Sequence, residues 1–136
     1  MSMDAEESGG ERFAVRIPTG AGTSDAVVVL ALSGELDHDT IGPLSVALGE
    51  HPRARRVVVD CSGLTFCDST GLNELLRARL RLRETGGRLD LAGLRPPVDR
   101  MFEITGAERV FHVYDDLAEA LADDEPGPGD GEGARG

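Results

Sequence analysis

The chain has 136 residues, enough for one domain with a single core, and a formal net charge of -11 with no lysine. That balance excludes the clustered basic face a nucleic-acid backbone requires, so no direct nucleic-acid contact is expected. No apolar run approaches the ~20 residues that span a bilayer, and no basic-then-apolar leader opens the chain, so a cytoplasmic protein without membrane contact is expected.

The acidity lies mostly at the ends. Asp4, Glu6, Glu7 and Glu11 against Arg12 give -3 over the first twelve residues, and Asp123, Asp124, Glu125, Asp130 and Glu132 against Arg135 give -4 over the last fourteen. Residues 1–11 and the Gly/Pro-rich 123–136 are read as disordered acidic tails around a domain spanning 12–122, because neither has the apolar content to pack.

In chain order, Phe13 to Ile17 alternates as a half-buried edge strand, Pro18 to Asp25 is a turn region, and Ala26 to Leu32 is a fully buried strand that forms a hairpin with the first. Ser33 to Asp37 is expected to leave the sheet. Asp39 or Thr40 can cap a helix carrying Ile41, Leu44, Val46, Ala47 and Leu48 toward His51-Pro52, where proline stops it. Val57-Val58-Val59 is a β-branched run of the kind buried on both faces of a parallel sheet, and Asp60 to Gly63 reads as the turn that ends it.

Asp68 is placed to cap the next helix, whose leucines 72, 75, 76 and 80 fall at helical spacing. Ser69 and Thr70 then stand in the first turn, at the positive end of the helix dipole, where an added phosphate is electrostatically tolerated. Gly86-Gly87 ends this helix. Arg88 to Leu94 is a strand, and Pro96-Pro97 opens a helix with Val98, Met101, Phe102 and Ile104 on its apolar face, ended by Thr105-Gly106. Val110 to Tyr114 is the last strand, and Asp116 with Glu119 forms a capping box for a closing helix.

This order implies an α/β fold, a mixed and mainly parallel sheet of four or five strands flanked by about four helices. Function in such folds gathers at the carboxyl ends of the strands. Two loops qualify, Gly34 to Thr40 and Ser62 to Thr70, and right-handed crossovers bring them to one end of the sheet, so Asp37 and Asp68 flank Ser69. On the residues alone, Asp68 is a cap, Ser69 and Thr70 are first-turn hydroxyls, and Asp37 is a turn former.

Cys61 and Cys67 match no zinc spacing and read as small buried hydrophobes, with a lowered thiol pKa at the helix start as the minor reading for Cys67. His38 and His51 read as exposed and His112 as structural. No metal or cofactor motif is present. An enzyme is not expected: no histidine lies in the Ser69 segment, only His38 could be folded toward it, and no Gly-x-Ser-x-Gly elbow or phosphate-binding glycine loop occurs.

Gly34-Glu35-Leu36-Asp37-His38, followed by Asp60 to Leu72 with its Phe66-Cys67-Asp68-Ser69-Thr70-Gly71-Leu72 segment, resembles the two signature segments of the anti-sigma factor antagonists, the bacterial STAS-domain proteins. The resemblance implies a single STAS-like domain that takes part in partner switching. Unphosphorylated, such a protein binds an anti-sigma factor that is also a serine kinase and frees a sigma factor. The kinase phosphorylates a serine at the helix start, and a PP2C-type phosphatase restores the antagonist. Carried over by motif, Ser69 is the acceptor, and Asp37, Asp68, Thr70 and Gly71 flank it or meet the partner. The alternative is a STAS scaffold, or a module binding a lipid or nucleotide, in a complex unrelated to sigma factors. The Asp-Ser-Thr-Gly acceptor motif favours the switch.

Overall fold

The computed structural model describes residues 12–18 and 26–123. Among these, five strands form one sheet in the order β1-β2-β3-β4-β5: β1 Phe13–Arg16, β2 Val27–Leu36, β3 Arg56–Cys67, β4 Arg88–Ala92 and β5 His112–Tyr114. β1 pairs antiparallel with β2, and every other pair is parallel. The connecting helices are α1 Ile41–Gly49, α2 Ser69–Glu84, α3 Val98–Thr105 and α4 Leu117–Ala122, with a 3-10 turn at Ala107–Arg109. The α/β expectation with a β1–β2 hairpin pairing therefore holds. The expected tails, 1–11 and 123–136, lie outside the described residues except for Asp123, and so does most of the expected turn, 19–25.

Alternation along the buried strands divides the core. Val28, Leu30 and Leu32 of β2, Val57, Val59 and Cys61 of β3, and Leu89 and Leu91 of β4 face one layer with Leu44, Leu72, Leu75 and Phe102 of α1, α2 and α3. Val29, Val58, Ala92 and Tyr114 face the other, under Ala120, Leu117 and Leu121 of α4. Burial on both faces is why these strands read as unbroken apolar runs.

Two expectations about strand length are corrected. Ser33 to Leu36 does not leave the sheet, and Asp60 to Gly63 does not end β3: β2 and β3 stay paired from Val27↔Arg56 to Leu36↔Cys67. The register slips between Ala31/Ser33 and again between Gly34/Glu35. Ten residues of β2 thereby face twelve of β3. Bulges bend the strand and re-aim its side chains. Beyond them Cys61, Leu64 and Cys67 are buried at three-residue spacing while Ser62, Gly63, Thr65 and Phe66 are exposed. A bulged strand loses the period of two, so its polar residues imitate a turn. Asp60 adds to the imitation by accepting from the Ser62 N–H over 3.0 Å. The last strand is also shorter than expected: Val110 and Phe111 precede β5, and only Phe111 of the two is buried.

Three apolar helix residues face water. Val46 in α1, Leu80 in α2 and Ile104 in α3 are exposed, at 61%, 57% and 73%. Each lies two residues after a buried one, about 200° round the helix, and so faces water. Ala78 and Leu82 complete the α2 face instead. α1 starts without a side-chain cap from Asp39 or Thr40. At α4, Asp116 Oδ1 accepts from the Glu119 N–H over 2.8 Å, and Glu119 Oε1 accepts from Asp115 N–H over 2.8 Å, a capping box displaced by one residue.

The face under α4 also holds charges. Arg56 and Asp90 are 1% and 3% exposed and pair through Nε and Oδ2 at 2.7 Å. Arg88 Nε reaches the same oxygen at 3.0 Å, and the Arg56 guanidinium stands 5.6 Å from the Tyr114 ring centre. One carboxylate serving two guanidiniums leaves both Nη atoms of Arg56 without a hydrogen-bond acceptor. Tyr114 donates its hydroxyl to Asp123 at 2.8 Å, which draws the end of α4 onto the sheet.

Candidate functional site

The paired ends of β2 and β3 build the site. Leu36 and Cys67 are register partners, and the Asp68 N–H donates to the Leu36 carbonyl over 3.1 Å. Asp37 leaves β2 on one side of this bond, and Asp68-Ser69 leaves β3 on the other. The structure therefore brings the two expected loops together at one end of the sheet, although each is much shorter than the sequence implied.

Asp68 is the N-cap of α2. Its Oδ1 accepts from the Thr70 N–H at 2.9 Å and the Gly71 N–H at 3.1 Å, satisfying two backbone donors that the helix leaves free. Ser69 is exposed, Thr70 half-buried and Gly71 buried. The Ser69 hydroxyl has no hydrogen-bond partner among the described residues, so it stands free at the positive end of a sixteen-residue helix.

Asp37 folds its own loop. Its Oδ1 accepts from the Asp39 N–H at 2.9 Å and the Thr40 N–H at 3.1 Å, the turn role expected of it. The Thr40 hydroxyl accepts from the Asp37 N–H at 2.9 Å and lies 2.8 Å from the Glu35 carbonyl that takes its proton. Arg12 then closes the loop from β1's side. Its Nη1 lies 3.1 Å from Asp37 Oδ2 and 3.2 Å from Glu35 Oε1, and its Nη2 is 3.3 Å from Asp37 Oδ1 and 3.9 Å from Asp39 Oδ2. Partial burial pushes the Asp37 carboxyl up, but the Asp39 N–H and the Arg12 guanidinium outweigh it and hold the group below its ordinary value.

Gly34 makes the approach of Arg12 possible. It has φ +93°, and a Cβ there would collide with the Arg12 carbonyl oxygen. That carbonyl accepts from the Glu35 N–H at 2.7 Å.

The sequence reading assigns Arg12 no role in the site; the legible signal is the alternation of Glu35, Asp37 and Asp39, which asks for a nearby cation. Phe66 was also missed as a surface residue: it is 45% exposed on β3, opposite Glu35 and two residues from Asp68.

The thiols differ from one of the two readings offered. Both cysteines are free and buried. Burial, and then the charge of Asp68, push the Cys67 thiol up to about 12, so the helix start does not lower it. Burial likewise raises Cys61. His38 is exposed and turns to Asp39 at 3.3 Å. His51 is not the exposed residue expected: it is half-buried, with Nε2 enclosed and unpaired. His112 is exposed and stacks on Tyr114 with ring centres 4.3 Å apart. Among the described residues no group of three or more His, Cys, Asp or Glu side chains is arranged to hold a metal, and no helix is long and apolar enough to cross a membrane.

Comparison with known proteins places β2 to β5 and their helices in one family. Residues 19–122 match the family model described as Mlab, STAS domain. The anti-sigma F factor antagonist of Paenibacillus polymyxa is 30% identical over 100 residues, covering 71% of this chain and 86% of the relative. The anti-sigma-B factor antagonist of Staphylococcus aureus is 29% identical over 93 residues, covering 67% and 86%. Among solved structures, an anti-sigma factor antagonist from Mycobacterium paratuberculosis superposes with a TM-score of 0.70 at 27% identity, over 81% of this chain and 92% of that one.

Proposed function

The chain belongs to the STAS-domain family, and from that premise we propose that it is an anti-sigma factor antagonist switched by phosphorylation of Ser69. Its relatives carry that role in their names. In this reading the unphosphorylated protein binds an anti-sigma factor serine kinase in the cytoplasm and so releases a sigma factor. Phosphorylation of Ser69 ends the contact, and a PP2C-type phosphatase renews it. The protein is then a regulator and a substrate, with no catalysis of its own.

The observation that carries the reading is the Ser69 hydroxyl, exposed and unpaired at the capped start of α2. A kinase can reach it without unfolding the domain. The phosphate adds about -1.5 to -2 charges at neutral pH. Within the free protein, the α2 N-terminus offsets part of that charge. At a docked surface already rimmed by Glu35, Asp37 and Asp39, the same charge adds repulsion and desolvation. A cost of about 3 kcal/mol there weakens binding roughly a hundredfold, since each 1.4 kcal/mol is tenfold.

Phe66 supplies the apolar part of the docking surface, and Gly71 lets the start of α2 sit close on Leu36 and Cys67 beneath the acceptor. Asp37, Asp68 and Thr70 form the polar rim.

Calorimetric titration against the anti-sigma kinase tests this. Ser69→Ala binds as the natural chain does, Ser69→Asp binds much more weakly, and Phe66→Ala loses about tenfold or more as a central aromatic contact. Equal affinities for Ser69→Ala and Ser69→Asp would remove Ser69 from the switch and favour a STAS module serving some other complex.

A further inference from the structure

We infer that Arg12 is a phosphate clamp for the Ser69 site: a phosphoryl group there draws the guanidinium off Asp37 and loosens the turn at 37–40. The inference rests on the reading of Ser69 as a phosphoacceptor.

Three carboxylates hold Arg12. Its ion-pair partners are Glu35, Asp37 and Asp39, at 3.2, 3.1 and 3.9 Å for the nearest atoms. Among the described residues it is the only arginine in contact with these carboxylates. Its side chain is 47% exposed, so it can swing without unpacking the core. Asp37, by contrast, is 15% exposed and fastened to the Asp39 and Thr40 N–H groups. The mobile member of the pair is the arginine.

Asp37 lies between the arginine and the serine. Arg12 reaches Asp37 from β1's side of β2, and the Asp68 N–H joins the Leu36 carbonyl at 3.1 Å on the other side, so Asp37 and Ser69 leave neighbouring strand ends whose backbones are about 5 Å apart. A phosphate offers nearly twice the charge of a carboxylate and three acceptor oxygens, and a guanidinium fork binds it in bidentate fashion. The remaining charged groups at this end favour the exchange. Glu35, Asp37, Asp39 and Asp68 are acidic, and His38 faces Asp39. Arg12 is the arginine already paired with the Asp37 loop beside Ser69, and so the cation in place to answer an added phosphate. Once Arg12 turns to the phosphate, Asp37 loses two of its hydrogen bonds, and the turn is held by its contacts within 37–40 and by the Thr40 hydroxyl on the Glu35 carbonyl.

The test uses the full chain with phosphoserine installed at position 69 during synthesis, so no kinase is needed. Titration followed by phosphorus NMR reads the second pKa of the phosphate. It lies about one unit lower in the natural chain than in Arg12→Gln, a tenfold difference in proton affinity, and Arg12→Lys recovers part of the difference. Hydrogen exchange at the Asp39 and Thr40 amides speeds up on phosphorylation in the natural chain, and does not change further in Arg12→Gln. Identical phosphate pKa values in the natural chain and Arg12→Gln would overturn the clamp. That outcome is separable from the function above: a phosphate that shifts as described on a serine no kinase uses would defeat the switch and leave the clamp, and the converse result would do the opposite.

Discussion

Gly71 lies against Leu36: a Cβ on Gly71 would stand 2.7 Å from both Leu36 Cγ and Cδ2, and 3.0 Å from Cys67 Sγ. Leu36 is fully buried at the end of β2. The second residue after Ser69 therefore packs directly on the strand that leads into the Asp37 loop. An alanine in a helix ordinarily stabilises it by up to about 1 kcal/mol relative to glycine. Here the overpacking term, about 1–3 kcal/mol, wins. Gly71→Ala lowers the urea midpoint and the stability by about 1–2 kcal/mol. A raised midpoint would show that Leu36 gives way freely.

Asp68→Ala removes the acceptor of two α2 backbone N–H groups. The expected loss is about 1 kcal/mol in urea unfolding, with Asp68→Asn within a few tenths of the natural chain, since asparagine caps nearly as well. Equal stability of all three would mean that water replaces the cap without cost.

Much of this was legible in the sequence where a local rule and the tertiary structure agree. The Val57-Val58-Val59 run is buried on both faces because β3 is central, and Asp68 caps because a helix follows it directly. Legibility failed where a residue's role is set by something distant in the chain. The bulges that carry β3 through Asp60 to Cys67 arise from its pairing with β2, so local turn chemistry misread them. Leu80 falls at helical spacing from Leu72 and Leu76, yet it lies about 200° round the helix from the buried Ala78 and turns out. Arg12 has no legible role because its carboxylate partners lie more than twenty residues onward, and the pairing of Arg56 with Asp90 spans 34.

Asp90→Ala leaves Arg56 buried with no counter-charge in contact. Removing one partner of a buried pair costs about 3–5 kcal/mol, whereas exchanging both for apolar residues is often nearly neutral. Urea unfolding therefore ranks Asp90→Ala well below the double variant Arg56→Met with Asp90→Leu. The reverse order would show that the pair itself, rather than its neutrality, stabilises the sheet.

Tyr114 is the chain's one tyrosine, so tyrosinate absorbance reports on it alone. Burial first, and the hydrogen bond to Asp123 second, push its hydroxyl up to about 12. The neutral form is favoured in the folded state, so the associated stability is complete below about pH 10, the unfolded value, and falls as pH rises toward 12. Titration of the folded protein shows the ionisation displaced upward, and Asp123→Asn moves it back part of the way. An ordinary midpoint near 10 would mean that α4 does not hold Tyr114 and Asp123 together.

The most direct test of the account is intact mass and site mapping after incubation with ATP and the anti-sigma kinases of the protein's own cell. The account predicts one added phosphate, mapped to Ser69 and lost in Ser69→Ala while the variant remains folded. No phosphate with any of these kinases, or a phosphate on another residue that persists in Ser69→Ala, would contradict it.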